Sequence, residues 1–358
     1  MSAVVDARLV GETWIEVSEN LIRSVNSGVN PTADQIIGGT LIPGFIDIHC
    51  HGGAGSYFSN ASRVQDVLKV HREHGTTGII ASLVTESIED LKVQIAALVP
   101  FYKSGQILGI HLEGPYLSHA RCGAHEPSLL INPDVAEIKE LLEIAKGAIA
   151  MITIAPELPG AIEAIKYLSA AGVKVALGHT NGDFKDAAAG TNAGASIVTH
   201  FLNAMSKELT EGSISSFVLV DERLSVELIL DGHHVPFTTA SEIIRAIGNR
   251  VMLVTDAMAA AGGSDGTYAI GKLEVKVEDS VARLTSNNAL AGSTLTMDQA
   301  FHNAIKNCGA TIPQAVVMSA TNPAKALGLH DRGSITVGKR ADLLTYDLVT
   351  GKISTLNL

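Results

Sequence analysis

Cysteine is scarce: Cys50, Cys122 and Cys308 are the only three in 358 residues. An odd, sparse set without C-x-x-C spacing excludes a disulfide framework. It fits thiols that serve as small buried hydrophobes in a reducing cytosol. Charge is thin as well, at 18% of residues against 46% apolar. That balance excludes a disordered chain and suits a large interior. Basic residues are outnumbered, 26 Lys+Arg to 37 Asp+Glu, for a formal net charge of −11. The excess argues against a nucleic-acid partner and against an anionic membrane surface. No apolar stretch reaches the length of a membrane span, and no basic segment followed by an apolar one opens the sequence. Neither a transmembrane helix nor a secretory signal is therefore expected, and the expected location is cytoplasmic. Tandem repeats are missing too.

What the chain has is a polar residue recurring at the end of short apolar runs. Leu41 to Ile48 ends in His49-Cys50-His51, Ile107 to Leu112 in Glu113, Val173 to Gly178 in His179, Ser196 to Thr199 in His200, and Val251 to Thr255 in Asp256. Short runs of this kind read as buried parallel strands. Eight are expected, near 41–49, 76–84, 107–113, 148–155, 173–178, 196–200, 224–230 and 251–255. Helical patterns lie between them. One starts at Asn132-Pro133 as cap and first-turn proline, with Val135, Ile138, Leu141 and Leu142 on one face. Another spans Ala161 to Ala171, with Ile162, Ile165 and Leu168 inward and Gly172 as its stop. The alternation defines the expected fold class: α/β, a (β/α)8 TIM-type barrel over 41–332. Residues 1–40 and 333–358 carry short strand patterns that cannot bury a core alone. They are expected to pair into a small β-sandwich built from both chain ends. A hairpin pattern at 267–284 reads as an insertion near the barrel mouth.

Ligand-capable side chains at the carboxyl ends of several strands are how such a barrel builds an active site. His49 and His51, two apart on a strand, face the same way. His179 and His200 are neutral nitrogen donors and Glu113 is an oxygen donor. Together they leave a fourth tetrahedral position for water, the pattern of catalytic zinc. Asp256 can either ligate or act as the base. His125, on the loop after the third strand, and His234, after the seventh, sit where barrel loops form a site. His71, His74, His119, His302 and His330 read as surface or packing residues.

The stretch Pro43-Gly44-Phe45-Ile46-Asp47-Ile48-His49-Cys50-His51 resembles the first-strand signature of the amidohydrolase superfamily. Gly333 to Leu343 resembles that superfamily's return to its small β-domain. Six ordered segments narrow the resemblance to the N-acetylglucosamine-6-phosphate deacetylase family. They are His111 to Leu117, Gly178-His179-Thr180, Thr199 to Met205, Asp231 to Val235, Thr255 to Met258, and Leu290 to Ser293. The resemblance implies that Glu113, His179 and His200 hold the main divalent metal, most simply Zn2+. His49 and His51, with Asp256, are relevant to a second ion bridged by Glu113. Asp256 would be general base and acid, and His125 would polarise the acetamide carbonyl. Ala124, His125, Asn203, Ala204, His234, Leu290, Ala291 and Gly292 would contact the sugar phosphate. A homodimer is implied as well, with a small-molecule sugar phosphate as partner. One departure stands out. Where the family carries an Arg toward the phosphate of a neighbouring subunit, this sequence has Glu211, with Arg121 and Lys207 as the candidates to compensate. Two rival readings remain: an amidohydrolase acting on another N-acyl sugar, a cyclic amide or a nucleobase, and a non-catalytic barrel used for assembly.

Overall fold

The structure is a computed structural model that describes residues 2–5 and 7–356. Its centre is an eight-stranded sheet in sequential order. The strands are β1 (Phe45–Cys50), β2 (Thr76–Val84), β3 (Gly109–Glu113), β4 (Ile149–Ile154), β5 (Lys174–Leu177), β6 (Ile197–Val198), β7 (Ser225–Ile229) and β8 (Val251–Val254). Every neighbouring pair is parallel. The ring closes where Asp256 N–H donates to the His49 carbonyl (2.8 Å) and His51 N–H to that of Ala257 (2.9 Å). This is the expected (β/α)8 barrel. Seven of the eight strands fall within the predicted runs, and the first overruns its own by one residue, because each is buried on both faces and so reads as continuous apolar sequence.

Three local readings are corrected. The run near 41–49 is two strands, not one: Thr40–Pro43 pairs with Ser2–Val5 and Leu343–Tyr346, and only from Phe45 does the chain enter the barrel. Gly44 makes the break, since a Cβ there would strike the Thr77 side chain at 2.2 Å. The helix expected from Asn132-Pro133 runs Val135–Ala145. Its cap is Asp134, whose carboxylate accepts from the amides of Ala136 and Glu137. Ile138 and Leu141 are buried as predicted, with Val135 and Leu142 at the margin. The hairpin after β8 is a three-stranded antiparallel sheet, Gly266–Ile270, Leu273–Glu278 and Val281–Leu284. It has its own core of Ile270, Val275, Val277, Ala282 and Leu284, joined by Met258 and Ala291 from the barrel mouth.

The chain ends form a five-stranded sheet, Arg8–Val10, Ser2–Val5, Thr40–Pro43, Leu343–Tyr346 and Ile353–Thr355 in that order. A hairpin, Thr13–Ser18 with Leu21–Ser27, packs beside it over Ala3, Ile22, Leu41, Ile335 and Leu343. Strands from both ends therefore flank Thr40–Pro43, which runs straight into the strand that bears His49 and ends just before His51.

Candidate metal centre and active site

Glu113 ends β3 at the centre of the barrel mouth, and its two oxygens face different groups. Oε1 lies 3.1 Å from His179 Nε2 and 2.9 Å from His200 Nε2. Oε2 lies 3.0 Å from His51 Nε2, 3.5 Å from His49 Nε2 and 3.4 Å from His125 Nε2. Asp256, just past β8, puts Oδ1 3.3 Å from His51 Nε2 and 3.5 Å from His49 Nε2. Two donor groups result, Glu113/His179/His200 and His49/His51/Glu113/Asp256, all buried and sharing Glu113. Residues from β1, β3 and the ends of β5, β6 and β8 thus meet at one point, as the strand-end pattern predicts.

Proton placement shows that this point suits a cation. His179 Nδ1 lies 2.9 Å from the Arg121 carbonyl, which can only accept, so Nδ1 carries the hydrogen. Burial lowers the His179 pKa to about 4, against the pull of Glu113, so the ring is neutral. Its Nε2 then directs a lone pair at a carboxylate oxygen. Two acceptors 3.1 Å apart repel unless a positive ion lies between them. His49 is oriented in a similar way: its Nδ1 donates to Glu227 Oε2 (2.9 Å), which turns Nε2 toward Glu113 and Asp256. Burial would lower His49, but the charges of Glu113, Glu227 and Asp256 outweigh it and lift the imidazole well above its ordinary range. Burial would raise Glu113, but the charge of His49 and the hydrogen bond from His125 hold it well below its own. The cluster draws positive charge, and imidazole with carboxylate is the donor chemistry of zinc and related divalent ions.

Beneath the cluster lies a polar network that sequence reasoning missed. Glu227, fully buried on β7, accepts from His49 Nδ1 and from the His200 amide (3.1 Å). His111 spans Ser82 Oγ (3.0 Å) and Thr153 Oγ1 (2.8 Å), and Thr153 bonds Thr199 Oγ1 (2.8 Å). Asp47 accepts from Thr255 Oγ1 (2.5 Å); burial, outweighing its hydrogen bonds, pushes its pKa to about 6. A charge in mid-run was the available signal: Glu227 sits inside Leu224 to Leu230, and His111 lies two residues before Glu113, on the same face.

A cavity of about 250 Å³ opens above the cluster. His51, Glu113, His125, His179, His200 and Asp256 line its floor and sides, and Ala124, Asn203, Ala204, His234, Leu290 and Gly292 line the rest. Ala291 does not face it; its side chain packs in the core of the covering sheet. Ile270 of that sheet also lines the cavity, as does Lys207, its only Lys or Arg among the described residues. Glu211 is exposed and off the lining. A larger hollow of about 560 Å³ lies in the chain-end sheets around Trp14 and Leu343 and holds none of the histidines. The backbone is bent hard around the site. His179 (φ 47°), His200 (φ 26°) and Asp256 (φ 48°) all take positive φ, uncommon for side-chain-bearing residues. Gly123 (φ 58°) passes so close that a Cβ would lie 3.0 Å from His179 Cε1.

A parallel barrel with a carboxylate-bridged His/Asp donor set at the carboxyl ends of its strands is the scaffold of a metal-dependent hydrolase. Residues 40–357 match the amidohydrolase family, and the chain belongs to it. It is 35% identical over 315 residues to N-acetylgalactosamine-6-phosphate deacetylase of Escherichia coli O157:H7, covering 86% of this chain and 83% of that one. To N-acetylglucosamine-6-phosphate deacetylase of Vibrio furnissii it is 33% identical over 312 residues, covering 85% and 78%. The crystal structure of N-acetyl-D-glucosamine-6-phosphate deacetylase from Mycobacterium smegmatis superposes with a TM-score of 0.95 at 38% identity, covering 99% and 97%.

Proposed function

We propose that this enzyme hydrolyses the acetamide of N-acetylglucosamine 6-phosphate to acetate and glucosamine 6-phosphate. The observation that carries this reading is the donor set centred on Glu113, set at the floor of a cavity whose wall holds Lys207, Asn203 and His234. One end suits amide hydrolysis and the other a phosphorylated sugar. Glu113, His179 and His200 would hold one divalent ion, most simply Zn2+, and His49, His51, Glu113 and Asp256 a second. Such an ion supplies a Lewis acid that lowers the pKa of a nearby water and polarises a carbonyl.

The chain's own groups supply the rest. Asp256 accepts the proton of the attacking water as the new C–O bond forms, then delivers it to the nitrogen as the C–N bond breaks. His125 donates to the carbonyl oxygen, where negative charge develops. Lys207, with His234 and Asn203, faces the phosphate. Burial of His125 and Asp256 keeps bulk water from competing for the contacts at the reacting amide. A cytoplasmic homodimer is part of the proposal, supported by the three unpaired cysteines and by the family resemblance. The Escherichia coli relative's name favours a second reading, the galactosamine epimer, with the same chemistry.

The test measures acetate release from both 6-phosphates and from unphosphorylated N-acetylglucosamine, on protein whose metal content is known. Release from the glucosamine phosphate should dominate and should vanish together with bound metal in Glu113→Ala. A faster galactosamine substrate would select the second reading, and no release from any of the three would overturn both.

A further inference from the structure

Thr85 follows directly on β2 and is buried, 3% exposed. It does not line the main cavity, yet all its side-chain and amide contacts point toward the groups that do. Its backbone N–H lies 3.4 Å from His125 Nδ1 and its Oγ1 lies 2.8 Å from the same nitrogen. The hydroxyl also lies 3.4 Å from the Glu113 carbonyl oxygen. Space for that hydroxyl comes from Gly114 (φ 96°), where a Cβ would lie 2.0 Å from Thr85 Oγ1.

These contacts discriminate between the two neutral forms of the ring. A backbone N–H can only donate. A hydrogen on His125 Nδ1 would therefore meet the Thr85 amide hydrogen head on. With a lone pair on Nδ1, the amide and the hydroxyl can both donate to it. The ring hydrogen is then on Nε2, the nitrogen 3.4 Å from Glu113 Oε2 at the cavity wall. The other form would turn a lone pair toward the substrate's carbonyl oxygen and repel it.

We propose that Thr85 is a positioning residue that locks His125 in the Nε2–H form, so that a neutral imidazole presents a hydrogen-bond donor to the reacting carbonyl. The proposal rests on the carbonyl-facing role given to His125 above. Thr85 touches neither substrate nor metal, and acts only through the ring.

Thr85→Val keeps the shape and the amide and removes the hydroxyl. In the metal-loaded enzyme it should lower kcat roughly 10-fold, about what one neutral hydrogen bond is worth, with KM and bound metal unchanged. Thr85→Ser should restore kcat to within about three-fold. In a His125→Ala background Thr85→Val should cost nothing further, because its effect passes through the ring. Nitrogen-15 spectra of histidine-labelled, zinc-loaded protein read the ring form without any turnover, with His125 identified by its loss in His125→Ala. Wild type should show the Nε2–H pattern and Thr85→Val a mixture. An Nδ1–H pattern in wild type, an equal Thr85→Val loss in the His125→Ala background, or a loss confined to KM or metal content would overturn the proposal. Should wild type release no acetate while its spectrum shows Nε2–H, the substrate reading fails and the role of Thr85 stands.

Discussion

Lys207 offers the sharpest check on the substrate. It is the only Lys or Arg lining the cavity among the described residues, and no ion pair engages it there. A phosphate group on the bound sugar would have no other full positive charge on the wall; His234 is committed at Nδ1 to Asp231 Oδ2, 2.6 Å away. A hydrogen bond to an ionised group contributes about 1.5–3 kcal/mol, and 1.4 kcal/mol is a factor of ten. Lys207→Ala should therefore lower kcat/KM for the 6-phosphate by roughly 10- to 100-fold. The loss should sit mainly in KM, because the phosphate is remote from the breaking bond and binds ground and transition states alike. Unphosphorylated N-acetylglucosamine should be hydrolysed as before. Since Lys207 is exposed, its attraction is screened, and raising salt from 0.01 to 1 M should raise KM for the phosphorylated sugar alone. The assay is acetate release against substrate concentration for both sugars. Equal losses on both would make Lys207 structural. No loss on either would mean that the phosphate binds elsewhere or not at all.

Three further outcomes follow from the site and its frame. Glu227→Gln leaves His49 without its anionic partner and should weaken metal binding about 10- to 100-fold, as loss of a ligand's hydrogen-bond partner does; competition with a chelator measures it, and an unchanged affinity would deny Glu227 that role. Asp256→Asn cannot take a proton and should cost at least ~10²–10⁴-fold in kcat, with substrate still bound by calorimetry. His74 and Asp298 meet at 2.8 Å between two barrel helices; the hydrogen bond from His74 to Asp298 raises the histidine, and Asp298, despite burial, is held low. The raised histidine stabilises fully below its unfolded pKa of about 6.5, and the lowered aspartate above about 3.9. His74→Ala should thus cost about 0.5–1 kcal/mol near pH 5.5 and little near pH 9 by thermal melting; a larger cost at pH 9 would reverse the assignment.

Much of this arrangement could be read from residue order because barrel strands bury both faces. A lone His, Glu or Asp at the end of an apolar run then has few places to go but the mouth. The reading weakened where a polar residue sat inside a run. Glu227 sits among five apolar residues in the run Leu224 to Leu230 and meets His49 only because the sheet closes across 178 positions. Thr85 gave no signal, since threonine after a strand is ordinary, and its partner His125 is 40 positions away. Gly44 lay inside what read as one apolar run. Its meaning as a hand-over between two sheets depends on Thr77, which touches it from β2. Asp134 lost to Asn132-Pro133 as a cap because proline is a stronger local marker than one aspartate among several polar residues. Ala291 was placed on the cavity wall by the family resemblance, together with Leu290 and Gly292, but the covering sheet takes its side chain.

The positive φ angles at His179, His200 and Asp256 put a thermodynamic asymmetry into this protein's descent. Each costs about 1–2 kcal/mol relative to an ordinary backbone, and glycine would relieve it while deleting a side chain at the heart of the catalytic cluster. A lineage under selection for turnover must keep the strain. One that retained only the scaffold would have no such reason to keep it. A related barrel with glycine at any of these corners has therefore shed both the strain and a side chain that the hydrolytic site needs.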